Sequence, residues 1–411
     1  MTTRLAIPVA WTTLICGFLL LPGCGGKKGP GSDLYRLVAT YPPRTSSAVH
    51  VPIMAEIPPG FDPGGQDWEV ITAGGAPATA VPVQFTGTGQ LVFLWRPPES
   101  DSEMRQTFTV RRRELAESPF EFDSVSAERL LVTENGSPAI GYVYGMHLAD
   151  GVPEDRRRAS YFHPVRTPAG RIISDDFPED HYHHRGIFWT WPQVFVGEDT
   201  LSLWDIRGVK QQFDDWLVRE TGPVFARLGA RNGWYTDSGR RIVDERVWVT
   251  VYRGSELGRI MDFELSWEAT EDPVGIQGSA DIKGYGGFSL RFAPFEEPVI
   301  TTSGGVQSDD SNRVPFAWAD FSARFGGSDE YSGAAIFDHE DNIDFPNGWC
   351  LRHYGFSGIA WPGIEPYWLV AGKPLRARYR VWVHSGDADT GKVAAAYRSW
   401  SEPPSAQFTI R

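Results

Sequence analysis

The stretch Arg241-Ile-Val-Asp-Glu-Arg-Val-Trp-Val-Thr-Val-Tyr252 alternates apolar and polar residues along much of its length. A second stretch, Gly258-Arg-Ile-Met-Asp-Phe-Glu-Leu-Ser-Trp-Glu-Ala269, follows it after a short link and alternates in the same way. A period of two is typical of a β-strand with one buried face. The pair therefore predicts a long antiparallel hairpin, and strands of this length indicate a large sandwich of two antiparallel sheets.

The same pattern continues on both sides of this hairpin. Leu375 to His384 alternates cleanly, and Gly186 to Trp191 is apolar enough for a buried strand. Helix signals are few. The clearest one spans Gly391 to Trp400, after the capping residues Asp389-Thr390 and before Pro403-Pro404. The sequence therefore predicts an all-β protein.

A smaller β domain is predicted over residues 33–118. Short apolar runs such as Ala80 to Phe85 and Gln90 to Trp95 flank the turn sequence Thr86-Gly-Thr-Gly89. Short strands at this spacing suggest an immunoglobulin-like β-sandwich. The polar stretch Glu114 to Ser124 marks the boundary, so that residues 119–411 form the large antiparallel β-sandwich.

The first residues predict export and lipid attachment. Arg4 precedes an apolar run, and Leu21-Pro-Gly-Cys24 fits a bacterial lipobox, so residues 1–24 are predicted to be a signal peptide and Cys24 the lipidated residue. A transmembrane anchor and a plain secretory signal are the alternatives, although Pro8 and Thr12-Thr13 interrupt the run. Residues 25–32 would be a flexible tether. The expected location is the bacterial cell envelope, facing the periplasm or on the outer-membrane surface.

Charge and cysteine content restrict the partners. The formal net charge of −13 argues against nucleic acid and against a basic membrane-binding patch, so membrane contact is expected only through the N-terminal lipid. Of the three cysteines, Cys16 leaves with the signal and Cys24 would carry lipid, which leaves Cys350 alone. No intrachain disulfide is therefore expected in the mature chain.

Chemistry-bearing side chains are most concentrated between Tyr161 and Pro192. This segment holds four of the nine histidines together with carboxylates, arginines and two tryptophans. Such a mixture is typical of a polar-ligand or metal site. Its principal members are His163, Asp180, His181, His183, His184, Arg185 and Trp189.

The histidine cluster allows two interpretations. In an extended segment His181 and His183 would share one face and His184 the other, and two histidines with a carboxylate would suit a mononuclear transition metal. In the second interpretation one or two histidines act as acid or base, and Arg185 holds an oxyanion. The sequence contains no HExxH motif and no closed Cys/His set, so no cofactor is assigned. If a divalent metal is bound, the expected ligands are His181, His183 and His353.

Two later segments are expected to complete the site. Phe337 to Gly355 contains Trp349, Arg352 and His353, on a loop that can reach back to the histidine cluster. Asp281 to Phe292 contains Lys283, which could face a ligand.

The motifs as a set resemble a known family. Tyr161-Phe-His-Pro164, Asp176-Phe-Pro-Glu-Asp-His-Tyr-His-His-Arg-Gly186, Lys283-Gly-Tyr-Gly-Gly287 and Trp349-Cys-Leu-Arg352 are similar to motifs of the PmoA-type family, which carries the label "methane oxygenase PmoA". The resemblance covers roughly residues 122–400. It implies a galactose-mutarotase-like supersandwich and a role in sugar utilisation. Glu340 and Cys350 depart from the residues usual in the family at those positions.

The leading hypothesis is a lipoprotein that processes a carbohydrate or sugar derivative by acid–base chemistry, as an epimerase, lyase or hydrolase. The alternatives are a non-catalytic glycan-binding lipoprotein and a metal-dependent oxygenase, as the family label states. The expected ligand is a carbohydrate or other polyhydroxylated small molecule. The predicted catalytic residues are His183, His184, Asp180 and His353, and the predicted substrate-binding residues are His163, Arg185, Trp189, Lys283, Trp349 and Arg352.

Overall fold

The computed structural model describes residues 35–65, 67–72, 79–113 and 117–410. Within these ranges the regular structure is β-strand except for one α-helix and one short 3-10 helix. The all-β prediction is therefore confirmed. The predicted signal peptide, Cys24 and the tether lie outside the described residues. Within the described ranges no helix has the length and apolar character needed to cross a membrane.

The elements are numbered in chain order. The strands are β1 (Tyr35–Tyr41), β2 (Val51–Glu56), β3 (Trp68–Thr72), β4 (Ala80–Phe85), β5 (Gln90–Trp95), β6 (Met104–Arg112), β7 (Phe120–Ser124), β8 (Arg129–Glu134), β9 (Ser137–Val143), β10 (Tyr161–Val165), β11 (Ile187–Thr190), β12 (Gln193–Val196), β13 (Asp199–Leu201), β14 (Val209–Thr221), β15 (Phe225–Thr236), β16 (Arg241–Tyr252), β17 (Gly258–Ala269), β18 (Val274–Gln277), β19 (Gly287–Arg291), β20 (Phe295–Thr302), β21 (Gly305–Gln307), β22 (Ser311–Pro315), β23 (Trp318–Phe325), β24 (Tyr331–Asp338), β25 (Gly348–Arg352), β26 (Phe356–Ile359), β27 (Tyr367–Leu369), β28 (Leu375–Ser385) and β29 (Ser405–Ile410). The helix α1 spans Val393–Ser401, and the 3-10 helix spans Glu154–Arg156.

Two nine-stranded antiparallel sheets form the large sandwich. The front sheet has the order β22-β25-β26-β19-β11-β10-β9-β8-β7, and the back sheet has the order β14-β15-β16-β17-β28-β24-β23-β20-β21. The predicted hairpin is confirmed, since β16 and β17 pair from Val243 with Ala269 to Val251 with Met261. A small sheet, β13-β12-β18-β27, completes the domain.

The inward faces of the two large sheets share one apolar core. Trp189 and Leu290 of the front sheet and Val249 and Phe263 of the back sheet belong to it, and each is buried. Their neighbours in sequence point to the opposite faces, because side chains alternate along a strand. Every second residue of a strand therefore faces the core, and the residues between them reach the outer surface of the sandwich.

A carboxylate lies inside this core. Glu245 is fully buried, and its Oε2 accepts hydrogen bonds from Gln211 Nε2 at 2.9 Å, Trp234 Nε1 at 2.8 Å and Trp267 Nε1 at 3.0 Å. Its Oε1 accepts a further bond from Asn232 Nδ2 at 2.9 Å. Burial raises the pKa of Glu245, although these donors act in the opposite direction.

The N-terminal sheet has the order β2-β5-β4-β3-β6-β1-β29, so the last strand of the chain completes it. Phe408 of β29 pairs with Leu37 of β1 and is buried with it in the N-terminal core. This differs from the predicted division at residue 118, because the C-terminal strand leaves the large sandwich and returns to the first domain.

The N-terminal domain packs on the outer face of the back sheet. Phe93 of β5 belongs to the same apolar cluster as Phe337 of β24 and Trp382 of β28. Gln84 also enters the turn between β14 and β15, where its Oε1 accepts hydrogen bonds from the backbone N–H groups of Val224 at 3.1 Å and Phe225 at 3.0 Å. The back sheet is thus partly covered, whereas the outer face of the front sheet carries the histidine segment.

Candidate functional site

The histidine segment lies between β10 and β11, on the outer face of the front sheet. It is folded into turns rather than extended, because the backbone N–H of His181 donates to Pro178 O at 3.0 Å and that of His184 donates to His181 O at 2.8 Å. The turns bring the three histidine rings together. The rings of His181 and His184 stack with centroids 4.6 Å apart, and the His183 ring stands perpendicular to His184 at 4.7 Å.

Asp180 holds His181 in position. Asp180 Oδ2 lies 2.9 Å from His181 Nδ1, and both oxygens of Asp180 accept from Arg291 Nη2 at 2.9 Å. Although burial acts in the opposite direction, the close contact with His181 and the charge of Arg291 hold the pKa of Asp180 below its usual range. This is a close contact between carboxylate and imidazole rather than an aligned hydrogen bond, and it leaves the other nitrogen of His181 for a ligand.

Aromatic rings surround this Asp180–His181 pair. Tyr354 stacks on His181 at 5.1 Å, and the Arg291 guanidinium lies 4.9 Å from the centre of the Tyr354 ring. On the other side, Phe356 stacks on His184 at 4.9 Å. The Tyr354 side chain is 40% exposed, so part of this ring is available to a ligand. Burial raises the pKa of Tyr354 to about 12, which keeps its phenol protonated at neutral pH.

The other two histidines are neutral. Burial, followed by the charge of Arg158, lowers the pKa of His183 to about 3. Burial also lowers the pKa of His184 well below its usual range. The Nδ1 of His184 is buried and has no hydrogen-bond partner among the residues that the structure describes. His184 is only 2% exposed, so its predicted catalytic role does not fit its position beneath His181.

Arg185 holds the turn and does not face a ligand. It is fully buried, its Nη1 donates to Tyr182 O at 2.6 Å, and its Nη2 donates to Arg156 O at 2.9 Å. Its guanidinium also lies 3.5 Å from the centre of the Phe177 ring. The predicted contact of Arg185 with a substrate oxyanion therefore needs correction, because backbone carbonyls occupy these donors.

The two predicted stacking tryptophans lie in the sandwich core. Trp189 and Trp349 are both fully buried, and Trp349 Nε1 donates to Phe316 O at 2.8 Å. Each occupies an inward position of its strand, so neither reaches a sugar ring. The partly exposed aromatic ring beside the histidines belongs to Tyr354, which is not among the residues predicted from the sequence.

The loop with Arg352 and His353 approaches the site, but these two side chains turn away from it. Arg352 Nη1 donates to Ser311 O at 2.7 Å. His353 Nδ1 lies 2.9 Å from Asp310 Oδ1, and its Nε2 lies 3.2 Å from Gln307 O. Both nitrogens of His353 are thus engaged by the segment before β22, and the predicted roles of the two residues do not fit this arrangement.

His163 and Lys283 lie apart from the paired histidines. His163 Nδ1 contacts Ser174 Oγ at 3.0 Å, and burial, followed by the charge of Arg129, lowers its pKa to about 3. Lys283 is half-exposed on the loop before β19, where its Nζ lies 3.9 Å from Asp281 Oδ2. Neither side chain has a described contact with Asp180 or His181.

The described residues contain no group of three or more His, Cys, Asp or Glu side chains arranged to hold a metal ion. The alternative ligand set of His181, His183 and His353 is not assembled, since His353 is bonded to Asp310 and Gln307.

Two members of the site, Arg291 and Tyr354, are not among the residues predicted from the sequence. Arg291 lies on β19, where its neighbours Leu290 and Phe292 point into the core. Because side chains alternate along a strand, these two apolar neighbours predict from the sequence that Arg291 lies on the outer face of the sheet. Tyr354 follows His353 directly, but nothing in the sequence distinguished the turn position that brings its ring onto His181.

The profile of a family of unknown function, DUF6807, matches residues 129–398, which is more than half of the chain. The expected membership of a PmoA-type family is therefore wrong, because the matching profile belongs to DUF6807. No curated protein sequence matches the chain.

Among solved structures, two proteins from Enterococcus faecalis align with most of the chain. One is a protein in glycosyl hydrolase family 38, with a TM-score of 0.43 and 10% identity, covering 93% of this chain and 48% of that one. The other is an alpha-mannosidase from strain V583, with a TM-score of 0.42 and 10% identity, covering 92% and 46% respectively. The chain spans about half the length of each.

Proposed function

The chain belongs to the DUF6807 family, whose function is unknown, and we propose that it is an acid–base enzyme acting on a carbohydrate or sugar derivative. The observation that carries the proposal is the Asp180–His181 pair on the outer face of the front sheet, with 2.9 Å between Oδ2 and Nδ1. A histidine held this way by a carboxylate is oriented to give or take a proton at its other nitrogen.

Each neighbour has a distinct part in this proposal. Arg291 fixes Asp180 by donating to both of its oxygens, and so acts on the reaction by positioning. His183 is neutral and half-buried beside the pair, where its ring can exchange hydrogen bonds with substrate hydroxyls. Tyr354 offers a protonated phenol and a partly exposed ring.

The substrate class follows from the same surface. Sugars present hydroxyl groups at their edges and C–H groups on their faces, and an aromatic ring beside imidazole and carboxylate groups suits both. The Leu21-Pro-Gly-Cys24 segment supports a lipid-anchored protein of the cell envelope as part of the proposal. The competing proposal is a glycan-binding lipoprotein without catalysis, since the same surface could bind a sugar and leave it unchanged.

The test is a conversion assay by ¹H NMR in D₂O with a panel of hexoses, hexuronates and their oligosaccharides. The wild-type protein should convert at least one member, and His181→Gln should lower the rate by about 10²-fold or more while Kd changes only a few-fold. The matched control is His147→Gln, because His147 Nδ1 is also held by a carboxylate, 2.8 Å from Glu128 Oε2.

Two outcomes would contradict the proposal, the first its catalytic residue and the second its catalytic activity. Conversion that survives His181→Gln would exclude His181 as the acid or base. Binding without conversion by any panel member, weakened by His181→Gln, would favour the glycan-binding protein. Far-UV circular dichroism of each variant separates these outcomes from a loss of folding.

A further inference from the structure

A groove lies where the N-terminal domain meets the outer face of the back sheet, and its cavity volume is about 360 Å³. Its floor is formed by β15, β16, β17 and β28. One wall is the edge of the N-terminal sheet around Met54 and Gln90, and the opposite wall is the end of α1 at Trp400. Ligand sites occur preferentially at such domain junctions.

The floor is polar, and its charges are paired. Thr250, Asp262 and Arg380 follow one another across three strands, because Thr250 pairs with Asp262 and Asp262 with Arg380. Arg380 donates to both oxygens of Asp262, at 2.6 and 2.8 Å. Arg227 Nη2 donates to Glu264 Oε1 at 3.0 Å. The floor therefore offers planar hydrogen-bonding groups whose charges largely cancel.

The walls supply an aromatic ring and neutral polar groups. Trp400 is half-buried, with the Arg380 guanidinium 5.4 Å from its ring centre and the His339 ring perpendicular at 4.9 Å. Across the groove, the hydroxyls of Thr86 and Thr88 lie 2.8 Å apart at the turn before β5. These are side chains that bind hydroxylated ligands without requiring charge.

We infer that this groove binds a neutral polysaccharide chain, at a second site separate from the histidines. A polyanion would need unpaired cations, whereas Arg227 and Arg380 are already matched by carboxylates. An extended peptide adding to a sheet would need a free strand edge. The floor offers none, because β17 is hydrogen-bonded to β16 on one side and to β28 on the other. The wall strand β2 is the last strand of the N-terminal sheet, and a peptide that paired with it would bind without responding to Glu264→Gln.

The position of the groove sets its role. It lies on the outer face of the back sheet, while His181 lies on the outer face of the front sheet, so the two sites are on opposite sides of the sandwich. A chain held in the groove leaves the histidines free. The groove is therefore a retention site, and it does not depend on what the histidines do.

The experiment is native affinity electrophoresis in gels that contain starch, xylan, galactomannan, mixed-linkage β-glucan or, as the anionic comparison, alginate. At least one neutral polymer should slow the wild-type protein, and alginate should not. Trp400→Ala should weaken binding about tenfold or more, since one stacking ring is lost. Glu264→Gln should also weaken binding; its side chain is half-exposed, so the core is untouched.

Two controls separate this site from others. Trp368→Ala removes an exposed tryptophan of the small sheet, 47% exposed, and should keep full binding. His181→Gln should also keep it, so that a failure of the proposed enzyme leaves this result unaffected. The inference is overturned if no neutral polymer slows the protein, or if binding survives both Glu264→Gln and a folded Trp400→Ala. Loss of binding in Trp368→Ala alone would also overturn it.

Discussion

Replacing Glu245 with leucine should destabilise the protein severely. Four buried N–H donors, from Gln211, Asn232, Trp234 and Trp267, converge on this carboxylate at 2.8 to 3.0 Å. Each donor left unpaired in the core costs about 1–3 kcal/mol. Four of them would cost at least about 4 kcal/mol, which is a large part of the roughly 5–15 kcal/mol that holds a typical domain folded. Relief from burying the carboxylate offsets part of this cost.

A Glu245→Gln variant distinguishes the contribution of the hydrogen bonds to stability from that of the charge. Its amide oxygen can replace Oε2 and accept from Gln211, Trp234 and Trp267, but its NH₂ group then faces the Nδ2 of Asn232. One opposed pair of donors should cost about 1–3 kcal/mol. Stability should therefore decrease from glutamate to glutamine to leucine.

The difference between glutamate and glutamine should also depend on pH. Burial raises the pKa of Glu245, so its contribution is fully present below the pKa of the unfolded state and is lost as pH rises through the folded value. Glutamine does not titrate, so the gap between the two proteins should narrow from pH 4 to pH 8.

Urea unfolding followed by tryptophan fluorescence measures these differences in unfolding free energy. The control is Glu264→Leu, on the exposed face of β17, which should lower the unfolding free energy by less than about 1 kcal/mol. A Glu245→Leu protein within about 1 kcal/mol of the wild type would refute the account of the network. A gap that widened with pH would refute the direction of the Glu245 pKa.

Three further outcomes are expected. Asp180→Asn should lower kcat about tenfold or more with little change in KM, because His181 loses the charge that orients it. The NMR conversion assay measures both constants, and an unchanged kcat would show that Asp180 has no part in the reaction. Arg291→Met should move the acidic limb of the pH–rate profile to higher pH, because Arg291 helps to hold the pKa of Asp180 low; an unmoved limb would contradict this. The unfolding free energy should fall as pH decreases from about 6.5 to about 3, because burial keeps His163 and His183 from binding a proton in the folded state. His163→Gln should reduce the slope of unfolding free energy against pH by at most about 1.4 kcal/mol per pH unit. A slope that His163→Gln leaves unchanged between pH 4 and 7 would contradict the lowered pKa of His163.

The fold could be predicted from the sequence to the extent that it depends on local pattern. Alternation along Arg241–Tyr252 and Gly258–Ala269 reports a buried face directly, and the short link between them fixes the partner. Pairing between distant segments has no such signal. Leu37 pairs with Phe408 across nearly the whole chain, and nothing local to either residue indicates the other.

The site was predicted in part for the same reason. His181, His183 and His184 are close in sequence, so any turn keeps their rings near one another. Arg185 and Trp189 belong to the same segment, but their roles depended on which side of the front sheet each one faces. The side that a residue faces depends on whether it occupies an inward or an outward position of its strand, and the sequence of a single segment does not show which positions face the core.

The register between β11 and β19 is what joins stability to the proposed chemistry. Ile187 pairs with Leu290 and Phe188 with Ser289, and the Arg291 backbone N–H donates to Gly186 O at 3.0 Å. Leu290 is buried in the core on one face, so Arg291 must emerge on the other, directly beneath Asp180. A slip of one residue would exchange the two faces and bury the Arg291 guanidinium opposite Ile187, at a cost of several kcal/mol. The apolar packing of Leu290 therefore fixes the position of the charge that holds Asp180, and the Asp180–His181 pair is only as well ordered as the core beneath it.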